Sequence, residues 1–270
     1  LPFFERHVLP ACRATGARVT VLGDIGMAEH DLVATSRANR RYYAGNVSAA
    51  RSFHPKLIVI ASPSQATVAV GSGNMTVAGW LGNDELWTIH RGDAVAASPV
   101  IAAVRDWCSR LPTATRMSEV ASNALGRVAA LLAGLGPSSN STVQLATTID
   151  QAIIDQLPHG PVDALNLYAP FHDGQAEATR RLIERFQPAV TRVAFQPGLT
   201  SADGVTLASA LPSDVQLLAL PSNPYRHGKL IEWRTGETWM SLTGSPNLST
   251  AALCRTVQTG GNVELAVIAP

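Results

Sequence analysis

Two short motifs occur twice in this chain, and both contain side chains that bind anions or move protons. The first is His-x-Lys, present as His54-Pro55-Lys56 and His227-Gly228-Lys229. The second is Gly-Ser-x-Asn, present as Gly71-Ser72-Gly73-Asn74 and Gly244-Ser245-Pro246-Asn247. Each second copy follows the first by 173 residues, since 227 − 54 and 247 − 74 are equal. The matched spacing predicts an internal duplication and one shared site for an anion such as a phosphodiester.

The cations and amides of these motifs can bind a phosphate group. Lys56 and Lys229 are the only lysines among the 21 basic residues, and the others are arginines. We expect both lysines, with Asn74 and Asn247, to bind the non-bridging oxygens and stabilise negative charge in the transition state. With two cations and two amides present, the sequence predicts neither a metal ion nor another cofactor.

The two motif histidines can perform the covalent chemistry. A neutral imidazole can attack phosphorus to give a phosphohistidine. A protonated imidazole can donate to the leaving oxygen and afterwards activate water. Histidine suits both tasks because its pKa ordinarily lies near neutrality, and two imidazoles at one site titrate as a coupled pair. The symmetry of the sequence leaves open whether His54 or His227 is the nucleophile.

Two serines and two glutamates are candidates for supporting roles. Ser72 and Ser245 either are ordinary turn residues, or orient the neighbouring asparagine or bind the phosphate. Glu85 and Glu264 either hydrogen-bond the outer ring nitrogens of the histidines or are charges at strand edges. The glutamates follow the motif asparagines by different distances, 11 residues (85 − 74) in the first half and 17 (264 − 247) in the second.

The motifs are expected to lie on short β-strands. Residues i and i+2 of a strand point to the same side, so the His and Lys of each His-x-Lys should project together. Turn residues between successive strands predict a hairpin that brings both motifs of each half to one edge. The predicted strands cover 56–60, 66–70 and 85–89 in the first half and 229–233, 238–243 and 264–268 in the second.

Helical patterns alternate with these strands. Apolar residues recur with helical spacing over 100–111, 125–135 and 178–186, and Ser98-Pro99 is a typical helix start. We therefore predict an α/β fold of two similar lobes, each a mixed β-sheet flanked by helices, related by a pseudo-twofold with the site between them. The predicted lobes are 1–135 and 143–270, joined by a turn-rich linker at 136–142.

The two halves are not equally complete as sequences. A predicted strand and polar loop at 163–173 would have its first-half copy before Leu1. The helix that follows the third strand of the first half has no counterpart after Ile268, and there is no initiator Met. We expect an excerpt of a longer polypeptide with further domains or subunits. The two lobes complete one site, so a homodimer is possible but not required.

The composition limits which partners and which cellular location are expected. Hydrophobic residues make up 46% of the chain, enough for buried cores, and the formal net charge is only +1, so attraction to phosphate must come from local patches. No apolar run approaches the ~18 residues of a membrane span, and there is no signal peptide, so no membrane partner is expected. The three cysteines lack the spacing of a disulfide framework or a zinc site. A bacterial cytoplasm is the expected location.

His-x-Lys followed by Gly-Ser-x-Asn, present twice in matched register, resembles the phospholipase D superfamily. The resemblance covers almost the whole chain. It implies a metal-independent phosphodiesterase with His54 as the nucleophile and His227 as the general acid. The common pattern has an Asp five residues after the Lys, where this chain has Ala61 and Arg234. The tyrosyl-DNA phosphodiesterase branch also lacks that Asp, so the loss does not imply inactivity.

Four arginines before the first motif are candidate substrate-binding residues: Arg37, Arg40, Arg41 and Arg51. With Tyr42 and Tyr43 they would form a basic, aromatic loop that binds the phosphates of a nucleic-acid backbone and stacks its aromatic rings on the bases. The alternative is an ordinary solvated loop. The histidines without a duplicated counterpart are interpreted as surface or structural residues, with His172 nearest to a site role: His7, His30, His90, His159 and His172.

Three functions are compatible with these motifs. A nuclease acting on DNA, as part of a bacterial restriction or anti-phage protein, is favoured by the arginines, the missing Asp and the absence of a secretion signal. A phospholipase or head-group transferase would use the same site chemistry, although the sequence shows no amphipathic or strongly apolar membrane-facing segment. An inactive module that only binds nucleic acid is the third, and the intact His-x-Lys pairs argue against it.

Overall fold

The computed structural model describes residues 1–27, 35–137 and 141–270. His30 and residues 138–140 of the predicted linker lie outside the described residues. The first half contains α1 (Leu9–Ala14), β1 (Thr20–Asp24), β2 (Tyr43–Ser48), β3 (Leu57–Ala61), β4 (Gln65–Gly71), β5 (Trp87–Asp93), α2 (Pro99–Ala114), β6 (Arg116–Met117) and α3 (Glu119–Ala133).

The second half contains β7 (Gln144–Thr147), β8 (Ala164–Tyr168), α4 (Glu177–Phe186), β9 (Val190–Phe195), α5 (Gly204–Ala210), β10 (Gln216–Ala219), β11 (Leu230–Thr235), β12 (Thr238–Gly244), α6 (Thr250–Leu253) and β13 (Leu265–Ala269). Its strands form one seven-stranded mixed sheet in the order β10-β9-β8-β11-β12-β13-β7. The first-half strands form two three-stranded sheets, β1-β2-β6 and β3-β4-β5. The predicted α/β class with mixed sheets and flanking helices is confirmed.

The two motif hairpins have the same construction. In the first half β3 pairs antiparallel with β4, and Leu57 lies opposite Val70. In the second half β11 pairs antiparallel with β12, and Leu230 lies opposite Thr243. The first residue of the strand that follows His-x-Lys therefore lies opposite the last residue before Gly-Ser-x-Asn on the neighbouring strand. The hairpin register places both motifs at one edge in each half, as the sequence predicts.

The third strand of each set begins later than the sequence predicts. Glu85 lies two residues before β5 and Glu264 one residue before β13. Both glutamates therefore belong to the connection that leads into the strand. The prediction that the strands carry them is wrong, because a preceding turn and bridge fix these residues before regular pairing starts.

Helix α2 starts at Pro99, which occupies the first turn without losing a hydrogen bond, as predicted. The Ser98 side chain does not cap the helix and instead lies 3.2 Å from Nδ1 of His90. Helix α3 has the side-chain cap that α2 lacks, since Ser118 accepts from the backbone N–H of Ala121. No helix among the described residues is long and apolar enough to cross a lipid bilayer.

Strand β13 connects the cores of the two halves. Ala266 and Ile268 pack in a core made by the second half. Leu265 and Val267 point to the other face and pack in a core that also contains β4 and α2 of the first half. Because both faces are covered, this strand is a continuous apolar run. Glu264, which directly precedes β13, is therefore fixed at the junction of the two halves.

Candidate active site

The two motif histidines are each bound by a glutamate from the other half of the chain. Nδ1 of His54 lies 3.0 Å from a carboxylate oxygen of Glu264, and Nδ1 of His227 lies 2.9 Å from Glu85. The sequence suggested that the glutamates contact the outer ring nitrogens but did not say which glutamate meets which histidine. This crossed exchange makes the site depend on both halves, while the pseudo-twofold relation stays a prediction.

Backbone bridges hold the crossed pairs in register. The N–H of His54 donates to the carbonyl of Val263 at 3.0 Å, and the N–H of Val263 donates to Ser52 at 2.8 Å. On the other side, the N–H of His227 donates to the carbonyl of Asp84 at 2.8 Å, and the N–H of Asp84 donates to Tyr225 at 2.9 Å. The residue before each glutamate is thus bonded to the segment that carries the opposite histidine.

The motif serines hold the glutamates. Ser72 donates to Glu85 at 2.5 Å and accepts from the N–H of Leu86 at 2.9 Å. Ser245 donates to Glu264 and accepts from the N–H of Leu265 at 3.0 Å. Both hydroxyls are used in these contacts, and both serines are completely buried. Neither expected role, a plain turn residue or a ligand of asparagine or phosphate, describes them.

The glycine before each serine allows this arrangement. A Cβ at Gly71 would lie 2.6 Å from the carbonyl oxygen of Leu86, and a Cβ at Gly244 would collide with that of Leu265. The chain therefore approaches the start of the third strand too closely for any side chain. That approach brings the serine hydroxyl within reach of the glutamate.

A second pair of asparagines supports the glutamates and was missed in the sequence. The amide nitrogen of Asn83 donates to Glu85 at 3.3 Å, and that of Asn262 donates to Glu264 at 2.9 Å. Asn83-Asp84-Glu85 and Asn262-Val263-Glu264 form a third duplicated motif, Asn-x-Glu. Its copies are 179 residues apart (264 − 85), because the second half has six more residues between Asn247 and the glutamate. A search for that triplet at a shifted offset would have found it.

Both glutamates are held as carboxylates. Burial alone would raise the pKa of Glu264, but the charge of His54 and hydrogen bonds from His54 and Ser245 keep it below its ordinary value. Burial is likewise outweighed at Glu85, where hydrogen bonds from His227 and Ser72 lower the pKa. A carboxylate on Nδ1 favours the tautomer with hydrogen at that atom, which leaves Nε2 as the reactive nitrogen.

The two lysines are buried and close together. Lys56 is 6% and Lys229 1% exposed, and each ammonium donates to the carbonyl of the histidine two residues before it, at 2.8 and 2.7 Å. Burial lowers the pKa of Lys56 to about 7, with a further contribution from the charge of Lys229 and opposition from Glu264 and Glu85. Burial lowers the pKa of Lys229 to about 8. An arriving anion would restore the charge on both.

The motif asparagines differ in their surroundings. Asn74 is exposed, whereas the side-chain oxygen of Asn247 is buried and has no hydrogen-bond partner among the described residues. The carbonyl of each accepts from the residue two positions later, Thr76 and Ser249, at 2.8 Å. The two turns are alike, so both amides leave the strand ends in a similar way.

The arginine loop is only partly available for binding. Arg37 is tied to Glu5, since its guanidinium donates to the Glu5 carbonyl at 3.1 Å. Tyr42 is buried, bonded to a Glu5 oxygen at 3.1 Å and packed edge-on against Phe4, so it cannot stack on a base. The hydroxyl of Tyr43 contacts Ser118 at 2.5 Å. Arg37 is exposed like Arg40, Arg41 and Arg51, but its guanidinium is already bonded to Glu5.

Two aromatic residues that the sequence did not single out flank His227. The ring centres of Phe171 and Tyr225 lie 6.4 and 6.0 Å from the imidazole. His172, next to Phe171, forms a backbone bridge with Leu248, directly after Asn247. Burial lowers the pKa of His172 to about 4, so this ring is neutral near pH 7. His172 therefore adjoins the site but does not supply a proton to it.

The other histidines that the structure describes lie apart from this arrangement. His7 packs against Phe3, His90 contacts Ser98, and His159 is exposed in the loop after Leu157. Among the described residues there is no group of three or more His, Cys, Asp or Glu side chains placed to hold a metal ion.

The sequence matches no family model and no curated protein, but the structure resembles solved ones. Yeast tyrosyl-DNA phosphodiesterase aligns with a TM-score of 0.62 and 10% identity, over 93% of this chain and 76% of that chain. The chain therefore shares the fold of this enzyme. Two variants of the same yeast enzyme align over 93% of this chain with TM-scores of 0.57 and 0.58 at 9% and 8% identity. The predicted superfamily resemblance is confirmed at the level of the fold.

The residues at the two positions where the superfamily pattern has Asp make contacts away from the histidines. Ala61 ends β3 and pairs with Ala66 across the hairpin. The guanidinium of Arg234 lies 5.6 Å from the centre of the Trp239 ring on the neighbouring strand. Neither residue contacts the histidines. The polar side chains bonded to the histidine rings are instead Glu264, Glu85 and Lys229.

Proposed function

We propose that this chain is a metal-independent phosphodiesterase that cleaves DNA through a phosphohistidine on His54. The observation that carries the proposal is the crossed pair of His–Glu contacts around two buried lysines. Such a pair supplies two imidazoles with fixed tautomers, and the lysines supply positive charge for one phosphate. The fold supports the proposal, since the yeast enzyme with the same fold is a phosphodiesterase by name.

The first step forms a bond between Nε2 of His54 and phosphorus while the bond from phosphorus to the leaving oxygen breaks. His227 donates its Nε2 proton to that oxygen. In the second step His227 takes a proton from water, the resulting hydroxide attacks phosphorus, and the P–N bond breaks. His54 and the protonated His227 are regenerated, and one water molecule is consumed.

The two histidines are not equivalent, and the difference favours His54 as the nucleophile. His54 is 28% exposed and its ring is bonded through Nδ1 alone, so Nε2 is open to substrate. The His227 side chain is 10% exposed, and the ammonium of Lys229 lies 3.2 Å from its Nδ1 and 3.1 Å from its Nε2. A phosphate between the halves would attract Lys229 away from that nitrogen, which would let His227 hold the proton that the leaving group needs.

DNA is the proposed substrate because exposed arginines and aromatic rings lie beside the catalytic motifs. Arg51 is exposed three residues before His54, where it can contact a neighbouring phosphate. Phe171 and Tyr225 can contact bases. The proposed setting, a bacterial cytoplasm and a role in restriction or anti-phage defence, rests on the sequence composition alone.

A lipid phosphodiester is the second candidate, because the structure exposes an apolar patch that the sequence did not reveal. Val77, Trp80 and Leu81 are 59%, 41% and 76% exposed in the helical turn that follows Asn74. Apolar side chains of this kind can enter a membrane interface. The sequence predicts no membrane-facing segment, and the lipid alternative would depend on these three side chains.

The decisive experiment measures cleavage of labelled single-stranded and duplex DNA in EDTA. Wild type is compared with His54→Ala, His227→Ala and His159→Ala, the last being a matched control at an exposed histidine outside the site. We expect metal-free cleavage by wild type and His159→Ala, and none by the other two. Head-group release from vesicles without DNA cleavage would establish the lipid alternative. DNA binding without cleavage, unchanged in His54→Ala, would establish a binding module.

A further inference from the structure

The two sides of the catalytic centre differ in their aromatic content. His227 has Tyr225 two residues before it and Phe171 in contact from a neighbouring loop, with ring centres 6.0 and 6.4 Å away. By the 173-residue offset the first-half counterpart of Tyr225 is Ser52 (225 − 173). Among the described residues His54 has no comparable ring contact. A substrate therefore meets two aromatic rings on one side only.

Phe171 is fixed in place although its side chain is exposed. Its carbonyl accepts from the N–H of Leu248 at 3.1 Å, and Asp173 donates to the Leu248 carbonyl at 3.2 Å. These bonds attach the Phe171 loop directly behind Asn247. Phe171 is nevertheless 45% exposed, next to the buried His227. An aromatic ring held at the mouth of a buried site offers a ready face for a planar ligand.

Tyr225 is positioned by a buried glutamine. Gln196 is completely buried, and its amide nitrogen donates to the carbonyls of Pro221 and Pro224 at 2.6 and 2.9 Å. The Gln196 oxygen accepts from the N–H of Arg226 at 2.8 Å, directly after Tyr225. These bonds hold the loop that carries Tyr225 against β9. The tyrosine ring therefore has a defined position beside His227 before any ligand binds.

We propose that Phe171 and Tyr225 bind the nucleobase that adjoins the scissile phosphate on the His227 side. This inference rests on the proposed function and makes it more specific. Since His227 donates to the leaving oxygen, the bound base belongs to the leaving nucleoside. A base can occupy such a position only when it is free of its partner strand, so the substrate is single-stranded DNA or an unpaired end.

The test compares two oligonucleotides that differ at one nucleotide. One carries a thymine on the leaving side of the cleaved phosphate, and the other carries an abasic tetrahydrofuran at the same position. Wild type should cleave the first with about tenfold higher kcat/KM, as expected for stacking of one base on an aromatic side chain. Phe171→Leu should lose that preference by slowing only the thymine substrate. Tyr225→Leu should behave similarly, whereas Tyr225→Phe, which keeps the ring, should retain the preference.

The outcomes separate this inference from the proposed function. If Phe171→Leu lowers kcat/KM equally on both oligonucleotides, Phe171 only supports His227. If the variant lowers kcat/KM on neither, Phe171 contacts no base. Both results overturn the inference, while the cleavage activity of wild type is unaffected. If wild type cleaves neither oligonucleotide, the proposed function fails. Equilibrium binding of the same two oligonucleotides then decides the inference, which is rejected if wild type binds them equally well. Phe171 is outside the core, so Phe171→Leu should fold normally, as checked by circular dichroism.

Discussion

The buried lysines should set the alkaline limb of the pH–rate profile. In the proposed mechanism both ammonium groups bind the phosphate. Burial lowers the pKa of Lys56 to about 7 and that of Lys229 to about 8. A lysine whose pKa is lowered keeps its charge below that pKa and loses it as the pH rises through it. The value of kcat/KM, which reports on the free enzyme, should therefore fall above about pH 7 and more steeply above about pH 8.

The size of the fall follows from the two protonated fractions. At pH 7 about half of Lys56 and nine tenths of Lys229 are charged, whereas at pH 9 the fractions are about one hundredth and one tenth. If both charges are required, kcat/KM drops about 500-fold between pH 7 and pH 9. An ordinary lysine, with a pKa near 10.4, would give almost no change over the same range.

The assay uses thymidine 5′-(4-nitrophenyl phosphate), followed by release of nitrophenolate. This leaving group needs no proton, so its release does not depend on proton donation by His227. Lys56→Arg is the matched variant, because guanidinium stays protonated throughout this range. Its overall rate should be lower, but the break near pH 7 should disappear. A wild-type profile that is flat to pH 9, or an unchanged break in Lys56→Arg, would refute the reasoning.

Three further predictions concern the same site. Asn262→Ala removes the bond to Glu264, and a lost hydrogen bond to a charged group should lower kcat about tenfold or more with little change in KM; a change confined to KM would argue against a positioning role. His227→Ala should release one equivalent of nitrophenolate from the same ester in a burst and then stop, with the thymidine 5′-phosphate group found attached to His54 by mass spectrometry; a label elsewhere would reverse the assignment. Lys56→Met should raise Tm at pH 7, because the buried ammonium has a lowered pKa and opposes folding there, and the gain should shrink by pH 10, as scanning calorimetry can check. A lower Tm at pH 7 would contradict it.

Much of the site could be predicted from the sequence because it is built from local patterns. A strand places residues i and i+2 on one side, so His54 and Lys56 must share a face wherever the hairpin lies. Short turns then fix which strand is the neighbour, as the pairing of Leu57 with Val70 shows. The repetition of both motifs at one offset identified the shared site, since lone copies carry little information.

The partners of the histidines could be decided only by the tertiary structure. His54 and Glu264 are 210 residues apart in the chain, and the crossed exchange depends on how β13 packs between the two halves. The same packing turns Ser245 toward Glu264, since both are fixed at the start of that strand. Spacing within one half carries no information about such contacts.

Burial likewise separated residues that look alike in sequence. Tyr42 and Phe171 are both aromatic residues in polar loops, yet Tyr42 packs into a small core and Phe171 remains 45% exposed beside His227. The two lysines also depend on burial. The sequence predicts that they bind the phosphate, but their pKa is lowered only because the folded chain buries them. Residue type and local spacing determined which groups are available for chemistry. Long-range packing determined how each group is paired, shielded and charged, because desolvation and cross-lobe contacts exist only in the folded chain.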